Sequence, residues 1–424
     1  MVLEPLNSLS QINCRNPYNR PRPPLESGFS NRFRYYFYDD EISCPDPTPS
    51  LQNNAPDFTP MKILLLENFE DIKNNRHEWD RLAGSYPFHR WAWMGNWFEH
   101  LAAEGKPAVL VGVKDGRWVG IAPFWIDNSS ALHRKLRFWG DGKACTDYAD
   151  IMAEPDFIEP FTFAVVDWLY AECTAQGKFK DIDVIELDGV TTECNLLLDA
   201  LEAVGFTSHR QEIQGCWVTN LDPTWDEFYT KFNGSMRRKS RKASKRVSGE
   251  SSEIRSSKDG NFESMWVEFV ELHQKRRQML GEDGCFADPV FEAFLRQSTH
   301  DLIAEGRGEL VIINCNGQPL TTMLLFNDGN TNYMYQSGAD SSRMKQEPGY
   351  QIAQVSIQKS INAGLKHFDF LRGDEPYKSR WLANHVSLSK VRFIPKNFRS
   401  RLKHNVWLTG HRVKNYLRAF DKSS

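Results

Sequence analysis

No stretch of the 424-residue chain is apolar for long enough to cross a bilayer; the longest mostly apolar run, 161–171, is about half the length required and carries Asp167. An excess of one charge sign is also missing. Lys and Arg number 52 against 55 Asp and Glu, a formal charge of -3, so no global basic field points to nucleic acid as the partner. Cysteine pairing is absent as well: Cys14, Cys44, Cys145, Cys173, Cys194, Cys216, Cys285 and Cys315 include no CxxC spacing, and no secretory leader is legible. Free thiols in a reducing, cytoplasmic setting are expected, with neither disulfides nor a metal such as zinc. No Walker loop and no Ser-His-Asp spacing can be read, which demotes ATPase and hydrolase chemistry. What is present, 40% hydrophobic and 25% charged side chains, can bury ordinary cores, and the length admits two or three domains.

Proline is unevenly spread. Ten of the 21 fall in residues 1–60, among Ser, Asn and Asp, where no hydrophobic period can be followed. That segment is expected to be a disordered tail, its aromatic patch at 32–40 being a partner-docking peptide at most. Met61 then opens MKILLLENFEDI, a strand-then-helix signal, so a translation start at Met61 is one bland account of the tail.

After Met61 one plan is followed twice. In 61–222, two β-rich runs meet at Asp115-Gly116, a dipeptide that supplies the positive φ angles of a tight hairpin. Strands LRFWG and DYADIMA, a helix over about 158–175, strand 183–189, a helix over about 192–204 and strand 215–221 follow. The second half opens with helical material from about 224 to 304, of which 223–262 reads as a basic connector. Module 263–395 then repeats the device: GELVIINC, a turn at Asn316-Gly317, LTTMLLFND, a turn at Asp328-Gly329, and TNYMYQSG. A helix follows, with the stripe Tyr350, Ala353, Ile357, Ile361, Leu365, started by Pro348 and stopped by Gly364. Strand 367–373, a short helix at Tyr377–Trp381 and strand SLSKVRFIP complete it, and 396–424 reads as a basic amphipathic helix. The expected fold class is α/β with mixed sheets, as two modules in tandem.

The strings GLKHFDFLRGDEPYKSRW at 364–381 and LHQKRRQMLGEDGCFADP at 272–289 resemble the CelD/BcsL-like branch of the GNAT acetyltransferases, relatives of the Fem-type aminoacyltransferases. SYPFHRWAWMGNW at 85–97, the stretch from Gly140 to Asp150 and LDPTWDEFYTKF fit the same likeness, which runs over about 61–395. The resemblance implies a tandem GNAT fold, acetyl-CoA or another acyl-CoA as co-substrate, no metal, and an acceptor amine or hydroxyl in polysaccharide or cell-envelope metabolism. One feature departs from it. Where ordinary GNAT enzymes carry a glycine-rich pyrophosphate loop, this chain has RMKQEPGYQ at 343–351. A helix N-terminus still presents free N–H groups there, so Arg343, Lys345, Gly349, Tyr350 and Gln351 are the cofactor-binding candidates.

Acyl transfer from a thioester needs a proton acceptor, oxyanion donors and a proton for the departing thiolate. The resemblance puts the acyl group between strands 331–338 and 366–372, with backbone N–H groups from Gln336 to Gly338 as oxyanion donors and Tyr377 as general acid. The alternative for Tyr377 is packing under the last strand. Lys378 offsets phosphate or oxyanion charge, or is a solvated lysine. Asp369, between Phe368 and Phe370, faces away from both; it orders a substrate amine, or it pairs structurally with Arg372 or Lys378. Asp374 is the turn acid of the same motif. His273, Arg276 and Arg277 share a helix face suited to an anionic acceptor or to a base role for His273, with Glu271 and Glu282 weaker candidates.

The densest charge is RRKSRKASKR at 237–246, seven basic residues in ten, with Arg238 a substrate-binding candidate. Its helical rows suit a diphosphate, an anionic lipid surface or RNA, or simply water. From Val391 onward nine basic residues face one acid, and Val413, Tyr416, Leu417 and Phe420 form a stripe that suits either peripheral contact with the inner face of a membrane or packing. Two other functions stay open: Fem-type transfer from aminoacyl-tRNA, and a non-catalytic scaffold in envelope assembly.

Overall fold

The computed structural model describes residues 61–409 apart from 104, 131, 132, 175, 193, 194 and 398. The tail at 1–60 and the stripe from Val413 to Phe420 lie outside the described residues. The first half supplies strands β1 (Lys62–Leu66), β2 (Lys106–Lys114), β3 (Arg117–Asp127), β4 (Lys135–Phe138), β5 (Met152–Ala153), β6 (Val184–Thr191) and β7 (Thr207–Asn220). The second supplies β8 (Ser252–Ser256), β9 (Gly308–Cys315), β10 (Gln318–Asn327), β11 (Thr331–Ala339), β12 (His367–Arg372) and β13 (Asn384–Ile394). The helices are α1 (Phe69–Asn74), α2 (Arg76–Ala83), α3 (Trp91–Leu101), α4 (Ile158–Glu172), α5 (Leu196–Ala203), α6 (Trp225–Thr230), α7 (Gly234–Val247), α8 (Phe262–Met279), α9 (Pro289–Ala304) and α10 (Pro348–Asn362).

All the strands join one sheet in the order β1-β2-β3-β4-β6-β13-β7-β12-β11-β10-β9-β8, with β5 beside β3. The order reads as a palindrome in which each half's last strand lies against the other half. β13 pairs with β6, and β7 pairs with β12. β7 is long enough to serve both neighbours, matching β13 from Thr207 to Val218 and β12 from Cys216 to Asn220. Among the described residues, only β4/β6 and β11/β12 are parallel pairs. Each such pair needs a crossover, and α10 supplies it in the second half.

One face of the sheet carries an aromatic core shared by α2 and α3 of the first half and α8 and α9 of the second. Trp93 meets Phe294 at 4.9 Å and Tyr335 at 5.0 Å between ring centroids. Each such ring removed from water contributes about 1.5–3 kcal/mol, so this core fixes the two halves as one body. The other face is split between a first-half core under α4 and α5 and a second-half core under α6, α7 and α10.

The hairpin dipeptides behave as their sequence demands, with φ of 51° and 78° at Asp115-Gly116 and 56° and 71° at Asn316-Gly317. Two expectations need correction. DYADIMA is a strand only at Met152–Ala153; Tyr148 takes a left-handed φ of 54°, because the Asp147 and Tyr148 side chains are drawn across to β12. The stretch read as helical from 224 to 304 contains β8, a short polar edge strand whose SEIRS sequence lacks a hydrophobic alternation.

Candidate active site

The parallel pairing of β11 and β12 runs only from Thr331↔His367 to Tyr333↔Asp369. Beyond that point β11 stays paired with β10 as far as Ala339, while β12 bulges away in its register with β7 between Asp369 and Arg372. The bulge rests on Leu371, whose φ of 53° is sterically costly for a residue with a Cβ. The Leu371 amide donates to Asp369 Oδ1 at 2.7 Å and holds the turn. The two strands splay in a V, with Asp369 at its apex and the edge of β11 past Tyr333 released from β12.

Asp369 is 2% exposed and faces the shared aromatic core rather than Phe368 and Phe370, which pack on the other side. Its Oδ2 accepts from the Tyr148 hydroxyl at 2.7 Å, a partner from the other half of the sequence. Neither Arg372 nor Lys378 is its ion-pair partner: Arg372 Nε donates to Asp147 Oδ1 at 2.7 Å and its Nη1 to Asp188 Oδ1 at 3.0 Å. Burial pushes the Asp369 carboxyl up to about 7, against the pull of the Tyr148 hydroxyl and the Leu371 amide. Tyr86 packs over this spot, 5.4 Å from Tyr333 between ring centroids, and donates to the Asp147 carbonyl at 2.9 Å.

Tyr377 sits on the opposite face of β12. Its ring packs edge-on against Phe370 at 6.1 Å, and burial raises its hydroxyl. Lys378 is 1% exposed; its Nζ donates to the carbonyls of Leu371 at 3.0 Å, Arg372 at 3.2 Å and Gly373 at 3.0 Å, and pairs with Glu375 at 3.0 Å. It is not a solvated lysine: its donors hold together the turn that ends β12. Asp374 is exposed, 3.8 Å from His385 Nε2.

The α8 triad is not brought to one spot. His273 points inward at 1% exposure, 4.8 Å from the Phe286 ring, with its Nε2 3.8 Å from Cys285 Sγ and Gln336 within hydrogen-bonding reach. Burial, helped by Arg277, lowers the imidazole to about 4, so it is neutral at pH 7. Arg277 pairs with Glu282 at 2.9 Å, Glu271 pairs with Lys275 at 2.6 Å, and Arg276 lies outside. Gly338 has a physical reason to be glycine, because a Cβ there would stand 2.5 Å from the His273 backbone nitrogen.

Near Pro348 the loop is clamped rather than free. Arg343 pairs with Asp340 at 2.7 Å and donates to the Cys315 and Pro319 carbonyls. Gln351 is buried and donates to the Gln346 carbonyl at 2.8 Å, whereas Lys345 and Gly349 are exposed. From α7, Lys242 and Arg246 each reach Glu347 at 3.2 Å. Arg238, Arg241 and Lys245 stay exposed on the outer face of that helix. The corner is open, with a cavity of about 310 Å³ lined in part by Tyr350, Lys239 and Arg380.

Sequence reasoning missed Tyr148, Asp147, Tyr86 and Cys285. The one signal available was a pair of acids in a stretch otherwise apolar enough to be taken for a strand.

Residues 230–379 match the family model described as the acetyltransferase (GNAT) domain. Among solved structures, the crystal structure of FemX is 13% identical over 74% of this chain and 95% of its own, at a TM-score of 0.55. A conserved protein of unknown function from Bacteroides thetaiotaomicron is 12% identical over 78% of this chain and 100% of its own, at a TM-score of 0.50. No curated protein matches the chain in sequence. No helix among the described residues is long and apolar enough to cross a membrane. The mixed sheet with its splayed parallel pair, the domain match and these likenesses agree: the fold is GNAT-like.

Proposed function

We propose that the chain is an acyltransferase working at the opening between β11 and β12. The observation that carries this reading is the release of β11 from β12 immediately after Tyr333↔Asp369, which leaves a strand edge beside a buried carboxyl that desolvation raises to about 7. An acyl-CoA thioester lies along that edge, entering from the α10 face. Backbone N–H groups from Gln336 to Gly338 receive the oxyanion. The acceptor amine or hydroxyl arrives from the aromatic face, where Asp369, oriented by Tyr148, takes its proton as the new C–N or C–O bond forms. The C–S bond then breaks and Tyr377 gives its proton to the thiolate. The opening is thus a passage between a donor face and an acceptor face, which explains why Tyr377 and Asp369 lie on opposite sides of one strand. The acceptor class in this reading is a sugar, glycan or cell-envelope precursor, in keeping with the CelD/BcsL-like strings.

The test is thiol release from acetyl-CoA with a panel of amino sugars, peptide amines and glycan hydroxyls, alongside melting curves with millimolar CoA. Turnover with an alkaline-rising limb near pH 7 that Asp369→Asn abolishes is the expected result. An unmoved melting curve and no thiol release with any acceptor would overturn the reading. A second reading, transfer from aminoacyl-tRNA, is favoured by the exposed Arg238, Arg241 and Lys245. Steeply salt-dependent tRNA binding, lost when those three are neutralised, would replace acyl-CoA with that donor.

A further inference from the structure

The turn between α8 and α9 holds a nucleophile that the reaction above does not use. Cys285 opens the single helical turn Cys285–Ala287 and is partly exposed, while His273 on α8 is buried. Cys285 Sγ stands 3.8 Å from His273 Nε2. The far side of the imidazole is held as well: Nδ1 lies 3.3 Å from Gln274 Oε1, and Gln274 Nε2 donates to the Asp283 carbonyl at 2.8 Å. That second bond turns the amide oxygen towards the ring, so Nδ1 carries the hydrogen and Nε2 offers its lone pair to the thiol. Gly284 makes room for the arrangement; its φ is 76°, and a Cβ on it would strike Gln274 Oε1. Thiol, imidazole and amide stand in the order of nucleophile, base and orienting group.

This set borders the splayed strands. The His273 backbone lies against Gly338 and its ring is within reach of Gln336, so the released edge of β11 runs beside it. Cys285 packs against the shared aromatic core, the face on which Asp369 meets Tyr148. Burial raises the thiol to about 11, against the pull of Arg277 and the amides of Cys285 and Phe286, and the imidazole is neutral at pH 7. At rest the pair is therefore a neutral thiol facing a neutral base, and the proton moves only as the sulfur attacks.

We propose that Cys285 takes the acyl group before the acceptor does, so that transfer runs through an S-acyl enzyme; this rests on the acyl-CoA reading of the preceding section. Cys285 Sγ attacks the thioester carbonyl from the aromatic face while His273 Nε2 takes its proton. The C–S bond to CoA breaks towards the α10 face, and Tyr377 protonates the thiolate. The acceptor then attacks the new thioester as Asp369 takes its proton. The C–S bond to Cys285 breaks, and His273 returns the proton to the sulfur. Asp369 and Tyr377 recover their own protonation by exchange with water. One thioester is exchanged for another, so no further reactant is required.

The experiment mixes the full chain with acetyl-CoA and no acceptor, quenches with acid and weighs the intact protein. One acetyl group per chain is expected, mapped to Cys285 and removed by neutral hydroxylamine as a thioester is. Cys285→Ala is expected to lose both the label and turnover, and Cys145→Ser, a change at a neighbouring thiol, to keep both. His273→Gln is expected to slow labelling about a hundredfold. Should that variant melt early, Gln274→Ala is expected to slow labelling about tenfold and Gln274→Glu to restore it, a rescue that a packing role would not give. Turnover in which the wild type never carries the label and Cys285→Ala keeps its full rate overturns the proposal and leaves direct transfer standing. A chain that takes no label, does not turn over and melts no higher with CoA overturns both.

Discussion

Replacing Asp369 by Asn changes how stability depends on pH, by an amount the structure sets. Asp369 is 2% exposed, and burial raises its carboxyl from 3.8 to about 7. In that window the folded state holds a proton that the unfolded chain has released, so stability is fully present below the lower value and is lost as pH rises towards 7. At about 1.4 kcal/mol per tenfold step, the loss across the window is at most on the order of 4 kcal/mol. Asparagine keeps the geometry, since its oxygen still accepts from the Leu371 amide and its NH₂ meets the Tyr148 hydroxyl. Urea unfolding of both proteins at half-unit pH steps from 4 to 8 is the assay. Subtracting one curve from the other removes His89 and His273, which titrate with the opposite sign in the same window. The Asn variant is expected to gain on the wild type steadily from pH 4 to 7 and to level off above it. A difference curve flat to within about 0.5 kcal/mol, less than half of one tenfold step, would refute the buried-carboxyl argument and, with it, the proton acceptor.

Lys378→Met strips three carbonyls of their donor and is expected to cost roughly 2–4 kcal/mol in urea unfolding, whereas a solvated lysine would cost almost nothing. Gly338→Ala drives a Cβ into the α8 backbone and should lower stability by about 1–3 kcal/mol, read from the melting curve. Tyr377→Phe keeps the packing on Phe370, so an unchanged melting temperature with kcat reduced about a hundredfold is expected; full turnover would remove Tyr377 as the acid. His273, lowered to about 4, stabilises the fold above pH 6.5 and loses that contribution as pH falls through 6.5 towards 4, so His273→Gln should flatten the acid limb of the stability curve.

Local chemistry made much of this protein legible in one dimension. The dipeptides Asp115-Gly116 and Asn316-Gly317 specify hairpins because few other residues accept positive φ in succession, and Pro348 with the apolar stripe after it specifies α10. Alternation around Asp369 told which way its side chain points, since strand geometry alone decides that. Its partner was not legible. Tyr148 lies 221 positions away, and its loop passed for a strand because buried loop residues and buried strand residues are equally apolar. The exchange of β7 and β13 between the halves was hidden too, since pairing register depends on which edges are free once both halves have collapsed. The sequence by itself determined the elements, the turns and the strings that resemble GNAT proteins, because those follow from φ preferences and side-chain periodicity within a few residues. The tertiary structure alone decided that Lys378 is a clamp, that Asp369 meets a tyrosine from the other half, and that Cys285 faces the imidazole of His273, because burial and long-range contact are properties of the folded chain.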